Sequence, residues 1–445
     1  MSSTSELSSF AARLRESILA SECGVRDAEC GIQSEPSRAG CGGIEFDELA
    51  LQLFALQFEH NAPYRRWCEA RGARPDTVAH WSGIPAAPTS AFKELDLSCL
   101  PVSERTTVFH SSGTTGQKPS RHYHNAGSLA LYEASVLRWF DAHSRLAIGN
   151  CQRGETEPAW GGFKNSRNCS RRRQSAHFSA ATEVSADSRR RLRLESALEP
   201  ARTSKLAILT PPPAQAPHSS LAHMFETIRR AAGWDGSAFV GEVARDGAWA
   251  LDAEAALERL RAASGSRQPL LMLGTAFSFV HLLDYLADQD LRFELPPGSC
   301  ALETGGYKGR SRSLPKAALH ALISQRLGIP PGQIVCEYGM SELSSQAYDS
   351  AIAPARLTPH APRPSPLAPR LFHFPPWARV QIVSPETGAE VAEGETGLIR
   401  VFDLANVYSV MAIQTEDLGI RRSQGFALAG RAVLAEPRGC SLLAV

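Results

Sequence analysis

Apolar residues near the start of the chain recur at helical spacing. Leu7, Phe10, Leu14 and Ile18 share one face of a helix expected over residues 5–20. Phe46, Leu49, Leu53, Phe54, Leu56 and Phe58 predict a second helix over 46–58 with a broad apolar stripe, and residues 64–72 a third that stops at Gly72. A short strand is expected at 106–110. A helix over 128–140 follows, carried by Leu129, Tyr132, Val136, Leu137 and Phe140. Further on, strands at 206–210, 270–274, 299–303 and 334–338 alternate with helices at 219–231, 253–262, 276–287 and 314–327. Strand, glycine-bearing loop and helix in repetition predict an α/β fold. Two more strands are expected at 379–383 and 398–402, joined by a turn-rich segment.

Three stretches break the pattern. Residues 22–43 are rich in Gly, Ser and Cys and read as a flexible connection. Residues 144–204 carry Arg runs at 171–173 and 189–191 and few large apolar residues, too little to offset the entropy of ordering, so disorder is expected. An RNA-binding tail is the functional alternative, but aromatic interleaving is minimal; a frame-shifted stretch of coding sequence would look much the same. Residues 352–371 are Pro-rich and read as a loop. The expected organisation is an N-terminal helix and flexible segment over 1–43. A domain over 44–445 follows, interrupted at 144–204 and 352–371, with a flexible tail from 432 to 445.

Composition narrows the class. The formal net charge of +1 gives no global argument for nucleic acid, membrane or acidic partners. No transmembrane run of ~18 apolar residues occurs, and the Ser-rich start does not read as a secretory signal. Ten cysteines, none in a CxxC pair, fit reduced thiols in a cytoplasmic enzyme.

The richest candidate for chemistry is Phe109-His110-Ser111-Ser112-Gly113-Thr114-Thr115-Gly116-Gln117-Lys118-Pro119. Glycines let backbone N–H groups approach a ligand, and Ser and Thr add short donors, a cradle suited to phosphate oxygens or else an ordinary surface turn. It is not a Walker A loop, since no Gly-Lys-Ser/Thr stands at the required spacing. His110, His122 and His124 flank it and read as solvated or capping residues, with an anion contact as the alternative. Residues 111–116, 304–310 and 338–342 each follow an expected strand, so all three loops are expected at one carboxyl edge of one sheet. Glu342 is a candidate Mg²⁺ ligand or a surface carboxylate. Tyr338 is a candidate stacking ring or a core aromatic, and Asp417 a ribose acceptor or a turn residue ahead of Gly419. Ser90–Lys93 and Ser313–Lys316 both read S-x-x-K, without an SDN or KTG partner, and are attributed to chance.

The order of these motifs carries more weight than any one. Ser-Ser-Gly-Thr-Thr-Gly, Tyr-Gly-Met-Ser-Glu, Gly394-Glu395-Thr396-Gly397, Thr415-Glu416-Asp417 and Gly430-Arg431 together resemble the adenylate-forming (AMP-binding) superfamily. Glu303-Thr304-Gly305-Gly306-Tyr307-Lys308-Gly309-Arg310 resembles its acyl-protein synthetase branch. That family contains the fatty-acid-activating component of the bacterial luminescence reductase. Phe402-Asp403-Leu404-Ala405-Asn406 and Arg438-Gly439-Cys440-Ser441-Leu442 resemble the same branch.

The resemblance implies the α/β large N-terminal domain of an adenylate-forming enzyme. It implies a long-chain fatty acid substrate, ATP and Mg²⁺, and a two-step reaction through an acyl-adenylate to a thioester. Ser111, Ser112, Gly113, Thr114, Thr115 and Gly116 would hold the pyrophosphate end of ATP. Gly305 and Gly306 would line the adenine and acyl side, and Tyr338 and Gly339 would face adenine. Ser341 would reach the α-phosphate and Glu342 the Mg²⁺, while Asp417 and Arg431 would bind ribose. In much of the superfamily a Pro-Lys pair follows the glycine loop; here the order is Lys118-Pro119, which puts a phosphate role for Lys118 in doubt. The sequence is also read as lacking room for the full C-terminal lid domain of most relatives. In the acyl-protein synthetase branch a cysteine near the C-terminus takes the acyl group, the position that Cys440 matches, with Arg438 placed to favour its thiolate. An acyl reductase or another acyl-accepting protein is the implied partner. The rival readings are an acyl-CoA or aryl-CoA ligase and a degenerate adenylate-binding scaffold.

Overall fold

The computed structural model describes residues 4–21, 44–111, 118–149 (side chains to 143), 205–234, 238–306, 311–350 and 370–432. Nine helices are described: α1 (Thr4–Ala20), α2 (Phe46–His60), α3 (Ala62–Glu69), α4 (Ala91–Glu94), α5 (Ala126–Gly149), α6 (Ser220–Ala231), α7 (Ala253–Ser266), α8 (Ala276–Asp288) and α9 (Lys316–Leu327). The strands in chain order are β1 (Ala87–Pro88), β2 (Thr107–His110), β3 (Arg121–His124), β4 (Lys205–Ile208), β5 (Gly241–Val243), β6 (Trp249–Leu251), β7 (Leu270–Thr275), β8 (Cys300–Thr304), β9 (Ile334–Tyr338) and β10 (Ala347–Ser350). They continue with β11 (Leu371–His373), β12 (Ala378–Val383), β13 (Thr396–Asp403), β14 (Ala412–Arg422) and β15 (Gly425–Arg431).

Eleven strands form one sheet in the order β12-β13-β14-β15-β11-β10-β9-β8-β7-β4, with β1 added in parallel to β14. β4, β7, β8 and β9 run parallel, and the other half from β10 to β12 is antiparallel. The sequence explains the division. β7 and β8 are buried at every position, as parallel strands covered on both faces must be. Along β14, by contrast, buried and half-buried residues alternate from Ile413 to Gly419, the pattern of a sheet with one wetter face.

Two apolar layers flank the sheet. Leu257 and Leu260 of α7, Phe279, Val280 and Leu283 of α8 and Leu319, Ile323 and Leu327 of α9 cover one side of the parallel half. The larger layer draws in Leu53 and Phe54 of α2, Leu131 and Val136 of α5 and Trp377 ahead of β12. Leu7, Phe10, Leu14 and Ile18 of α1 lie in this same layer, and Tyr408 donates its hydroxyl to Ser8 Oγ at 3.2 Å.

The structure corrects one expectation about the glycine loop. β2 is not a strand of the large sheet; it pairs antiparallel with β3 in a separate two-stranded ribbon, Thr107 opposite His124 and His110 opposite Arg121. The chain returns along itself because residues 121–124 alternate half-buried and buried side chains, the period of a strand. That alternation turns His122 and His124 inward, 3% and 2% exposed, so they are core residues rather than solvated ones.

Candidate active site at the carboxyl end of β8 and β9

β8 and β9 are parallel neighbours in which Thr304 lies opposite Glu337, so the segments leaving them emerge side by side. Gly305 turns the chain out of β8 at φ +69°, a conformation that disfavours a side chain. Thr304 Oγ1 donates to the Glu337 carboxylate. Gly339 has no room for a Cβ, which would collide with that same carboxylate. Two of the glycines singled out from the sequence therefore have physical reasons to be glycine at this edge.

The segment after β9 is fastened to the β2–β3 ribbon. Ser341 Oγ donates to the His110 carbonyl at 2.9 Å, and His122 Nδ1 donates to the Ser341 carbonyl at 2.6 Å. Burial lowers the His122 pKa, against the hydrogen bond to Ser341 and the charge of Glu342, which raise it. Ser111 closes the neck of the glycine loop: its N–H donates to the Ser120 carbonyl at 3.3 Å and its Oγ accepts from Ser120 N at 3.0 Å. The loop's base and the Ser341–Glu342 pair thus share one hydrogen-bonded frame, although they belong to different sheets.

Glu342 is fully buried. Its carbonyl accepts from Asn406 Nδ2 at 2.8 Å, and the next turn is held by Asp403. Asp403 accepts from Ser344 N at 2.9 Å, from Ser345 N at 2.8 Å, from Ser345 Oγ at 2.7 Å and from Ala405 N at 3.0 Å. Burial pushes the Asp403 pKa up to about 6, opposed by those hydrogen bonds. Gln57 of α2 completes the support, donating to the carbonyls of Asn406 and Val407 at 2.8 and 3.1 Å and accepting from Met411 N at 3.0 Å.

The antiparallel half supplies a second wall. Tyr338 donates its hydroxyl to Asp417 Oδ2 at 3.0 Å. Asp417 stands opposite Arg431 in the β14–β15 register, and Arg431 forms an ion pair with Glu416. Asp417 is therefore a mid-strand residue, not part of a turn. The rings of Phe372, Phe374 and Phe426 meet Tyr338 edge-on with centroids 5.7–6.3 Å away, leaving the tyrosine 6% exposed.

Behind this edge lies a buried charged network. Glu303 of β8 is 3.2 Å from His320 and 3.6 Å from Lys316. Asp349 of β10 pairs with Arg370. Burial would raise Glu303, but Lys316 and His320 hold its pKa down at about 2. Glu337 goes the other way: burial and the neighbouring Glu303 charge lift it to about 7 despite the Thr304 hydrogen bond.

Of the residues singled out from the sequence, Ser111, Gly305, Gly306, Tyr338, Gly339, Ser341, Glu342, Asp417 and Arg431 are described. Ser112–Gly116, Tyr307–Arg310, Cys440 and the segments 150–204 and 351–369 lie outside the described residues. Lys118 is described and pairs with Glu94 at 3.3 Å. His110 and His122 as anchors of Ser341 were not foreseen, because only the ribbon register turns His122 inward. Asp403 and Asn406 were visible only inside a motif likeness, with no role attached.

This edge can be compared with known proteins. A 2-hydroxyisobutyryl-CoA ligase, solved in the postadenylation state with its acyl-AMP, superposes with a TM-score of 0.51 at 13% identity, covering 85% of this chain and 66% of that one. The chain has the fold of an adenylate-forming enzyme. An open form of the same ligase with acyl-AMP and CoA gives a TM-score of 0.50 at 12% identity, covering 86% of this chain and 71% of that one. In sequence, the chain is similar to the long-chain-fatty-acid–luciferin-component ligase of Aliivibrio fischeri, 24% identical over 173 residues, 38% of this chain and 41% of that protein. It is similar also to the ligase of that name from Photorhabdus luminescens, 35% identical over 71 residues, 16% of this chain and 60% of that protein. The matched stretches span less than two thirds of either ligase. No family model matches the sequence. In an adenylate-forming fold the carboxyl edge of β8 and β9 is the natural place for a ligand, since open α/β sheets bind theirs beyond the strand ends.

Proposed function

We propose that the chain is an ATP-dependent, AMP-forming ligase. It would activate a carboxylic acid, in the reading carried by the luciferin-component ligases a long-chain fatty acid, and pass the acyl group to a protein cysteine, its own Cys440. One observation supports it above the rest: Ser341 and Glu342 are tied to the base of the glycine loop through His110 and His122, while Tyr338 ties the same segment to Asp417.

In this reading the acid's carboxylate oxygen attacks the α-phosphorus of ATP, the α–β bridging bond breaks and pyrophosphate leaves. The thiolate of Cys440 then attacks the acyl carbonyl and AMP leaves. The protein's share is positioning and charge. The backbone N–H groups and hydroxyls of residues 111–116 would hold the pyrophosphate end, and Ser341 would reach the α-phosphate. Gly305, Gly306, Tyr338 and Gly339 would bound the adenine, and Asp417 with Arg431 would take the ribose. A hard cation suits Glu342, a fully buried carboxylate beside this edge. Mg²⁺ bound there would neutralise phosphate charge. The downstream partner would be an acyl reductase or another acyl-accepting protein.

The second reading is an acyl-CoA or aryl-CoA ligase, favoured by the CoA ligase whose fold the chain shares. One experiment separates them: ATP–pyrophosphate exchange across fatty and aromatic acids, followed by transfer of labelled acyl groups in the wild type and Cys440→Ala. Protein labelling that disappears in Cys440→Ala supports self-acylation. Exchange with label passing only to CoA supports the second reading. No exchange with any acid by the folded protein overturns both and leaves a non-catalytic adenylate-binding protein.

A further inference from the structure

The buried network behind the site contains a pair that the proposed reaction does not use. Lys316, the first residue of α9, places Nζ 2.5 Å from Cys336 Sγ on β9. That is closer than an N–H···O hydrogen bond of ~2.9 Å, although sulfur is the larger atom. Cys336 is fully buried, and no disulfide occurs among the described residues. The Lys316 side chain is 22% exposed, so a small oxidant can reach the pair from the lysine side. The thiol also contacts the Glu337 carbonyl at 3.7 Å and the Glu303 carboxylate; Lys316 brings an amine to it.

The geometry points to an oxidative modification site: Lys316 and Cys336 join through a single bridging oxygen, Nζ–O–Sγ, when the protein meets dioxygen. The balance closes with dioxygen alone. The amine loses one hydrogen, the thiol loses its hydrogen, and an N–O and an O–S bond form. One oxygen atom of O₂ stays in the bridge, and the other leaves as water with the two hydrogens given up by the amine and the thiol. Nitrogen and sulfur each give up two electrons, and each oxygen atom accepts two. The reactive forms are the free amine and the thiolate. Glu303 lies 3.6 Å from Nζ and His320 lies 3.2 Å from Glu303, which provides a route for the ammonium proton. The other charged groups of the network are Asp349 and Arg370, with Glu337 adjacent to Cys336 on β9.

At neutral pH both partners keep their protons. Burial raises the Cys336 pKa, with Glu303 adding to it. Burial alone would lower Lys316, but Cys336, Glu303 and Asp349 raise it. Cross-linking therefore accelerates as pH rises. The bridge would tether the start of α9 to β9, two residues before Tyr338.

The test uses the whole chain, prepared anaerobically with reductant and then exposed to air-saturated buffer. It is denatured, alkylated, digested and analysed by mass spectrometry. The expected species joins the Lys316 and Cys336 peptides and weighs one oxygen more and two hydrogens less than their sum. It disappears on thiol reduction, increases with pH, and is absent from Lys316→Arg and from Cys336→Ser. The wild type alone supplies the decisive reading, so a poorly folding variant does not blunt it. Full alkylation of Cys336 after exposure overturns the proposal. So does oxidation of Cys336 to the same extent in Lys316→Arg with no joined species in the wild type.

Discussion

The hydroxyl of Tyr338 donates to Asp417 Oδ2 at 3.0 Å, linking the last residue of a parallel strand to the middle of an antiparallel one 79 positions later in the chain. In the proposed function both residues would face the nucleotide, which is why the contact matters. A carboxylate that must meet ribose hydroxyls gains orientation from a fixed donor on its other side. Tyr338→Phe removes only that donor. A hydrogen bond to a charged group contributes roughly 1.5 kcal/mol or more, on the order of tenfold in the apparent KM for ATP. The relative penalty for 2′-deoxy-ATP should shrink in the variant, because Asp417 is already less well held. Pyrophosphate exchange with both nucleotides checks this; an unchanged penalty would mean that Asp417 does not depend on Tyr338.

Glu342→Gln keeps the volume and hydrogen-bonding shape of a fully buried side chain but removes its charge. Losing one preorganised charge contact at a phosphoryl-transfer site should lower exchange by roughly 10²–10³. Thermal unfolding should move little, since Asn406 still holds the Glu342 carbonyl at 2.8 Å. Exchange measured across a Mg²⁺ series gives the answer. An unaltered rate and Mg²⁺ dependence would remove Glu342 from the metal role.

The parallel half was legible because its strands are short, mostly apolar and punctuated by glycine. The strand at 334–338 was placed to the residue. The 11-residue β14 was missed: it carries Gln414, Glu416, Asp417, Arg421 and Arg422, and its polar residues look like loop until their alternation is paired with β13 and β15. The glycine loop was found but given the wrong sheet, because residues 121–124 read Arg-His-Tyr-His and lack the aliphatic run that marks a strand. The candidate site's residues stood out as motifs. Its supports, His122 and Asp403, did not, because a buried polar residue is recognisable only from the groups that surround it.

Two glutamates on adjacent strands give stability opposite pH dependences. The ordinary value for each is 4.5; Glu303 is held at about 2 and Glu337 lifted to about 7. A lowered carboxyl contributes stability that is complete above 4.5 and is lost as pH falls toward 2. A raised one contributes below 4.5, and that contribution is lost as pH rises through 7. Thermal stability should therefore be greatest between these limits. Glu337→Gln should flatten the decline between about pH 4.5 and 7. Glu303→Gln should cost roughly 3 kcal/mol near pH 6, because Lys316 is left without its closest carboxylate in a buried setting. Melting temperatures from pH 3 to 8 test both, and an undiminished decline above about pH 4.5 in Glu337→Gln would assign it to another group.

Asp403 is the polar centre of the support beneath Ser344 and Ser345, with three backbone N–H groups and one hydroxyl aimed at its two oxygens. Asp403→Ala leaves several buried donors unsatisfied at about 1–3 kcal/mol each, so a loss of roughly 4 kcal/mol or more is expected. Asp403→Asn keeps one carbonyl oxygen and turns an amide toward donors, so it should fall between wild type and alanine. The difference between Asn and Asp also depends on pH. Burial lifts the Asp403 pKa to about 6 from an ordinary 3.8, so the wild type is at its best below 3.8 and gives up part of that advantage as pH rises through 6. The asparagine variant has no such titration. Its deficit should therefore be smaller at pH 8 than at pH 4, which urea unfolding at the two values measures directly. A deficit that grows with pH would show that the ionised carboxylate is the better acceptor for these four donors, and that their hydrogen bonds outweigh its desolvation.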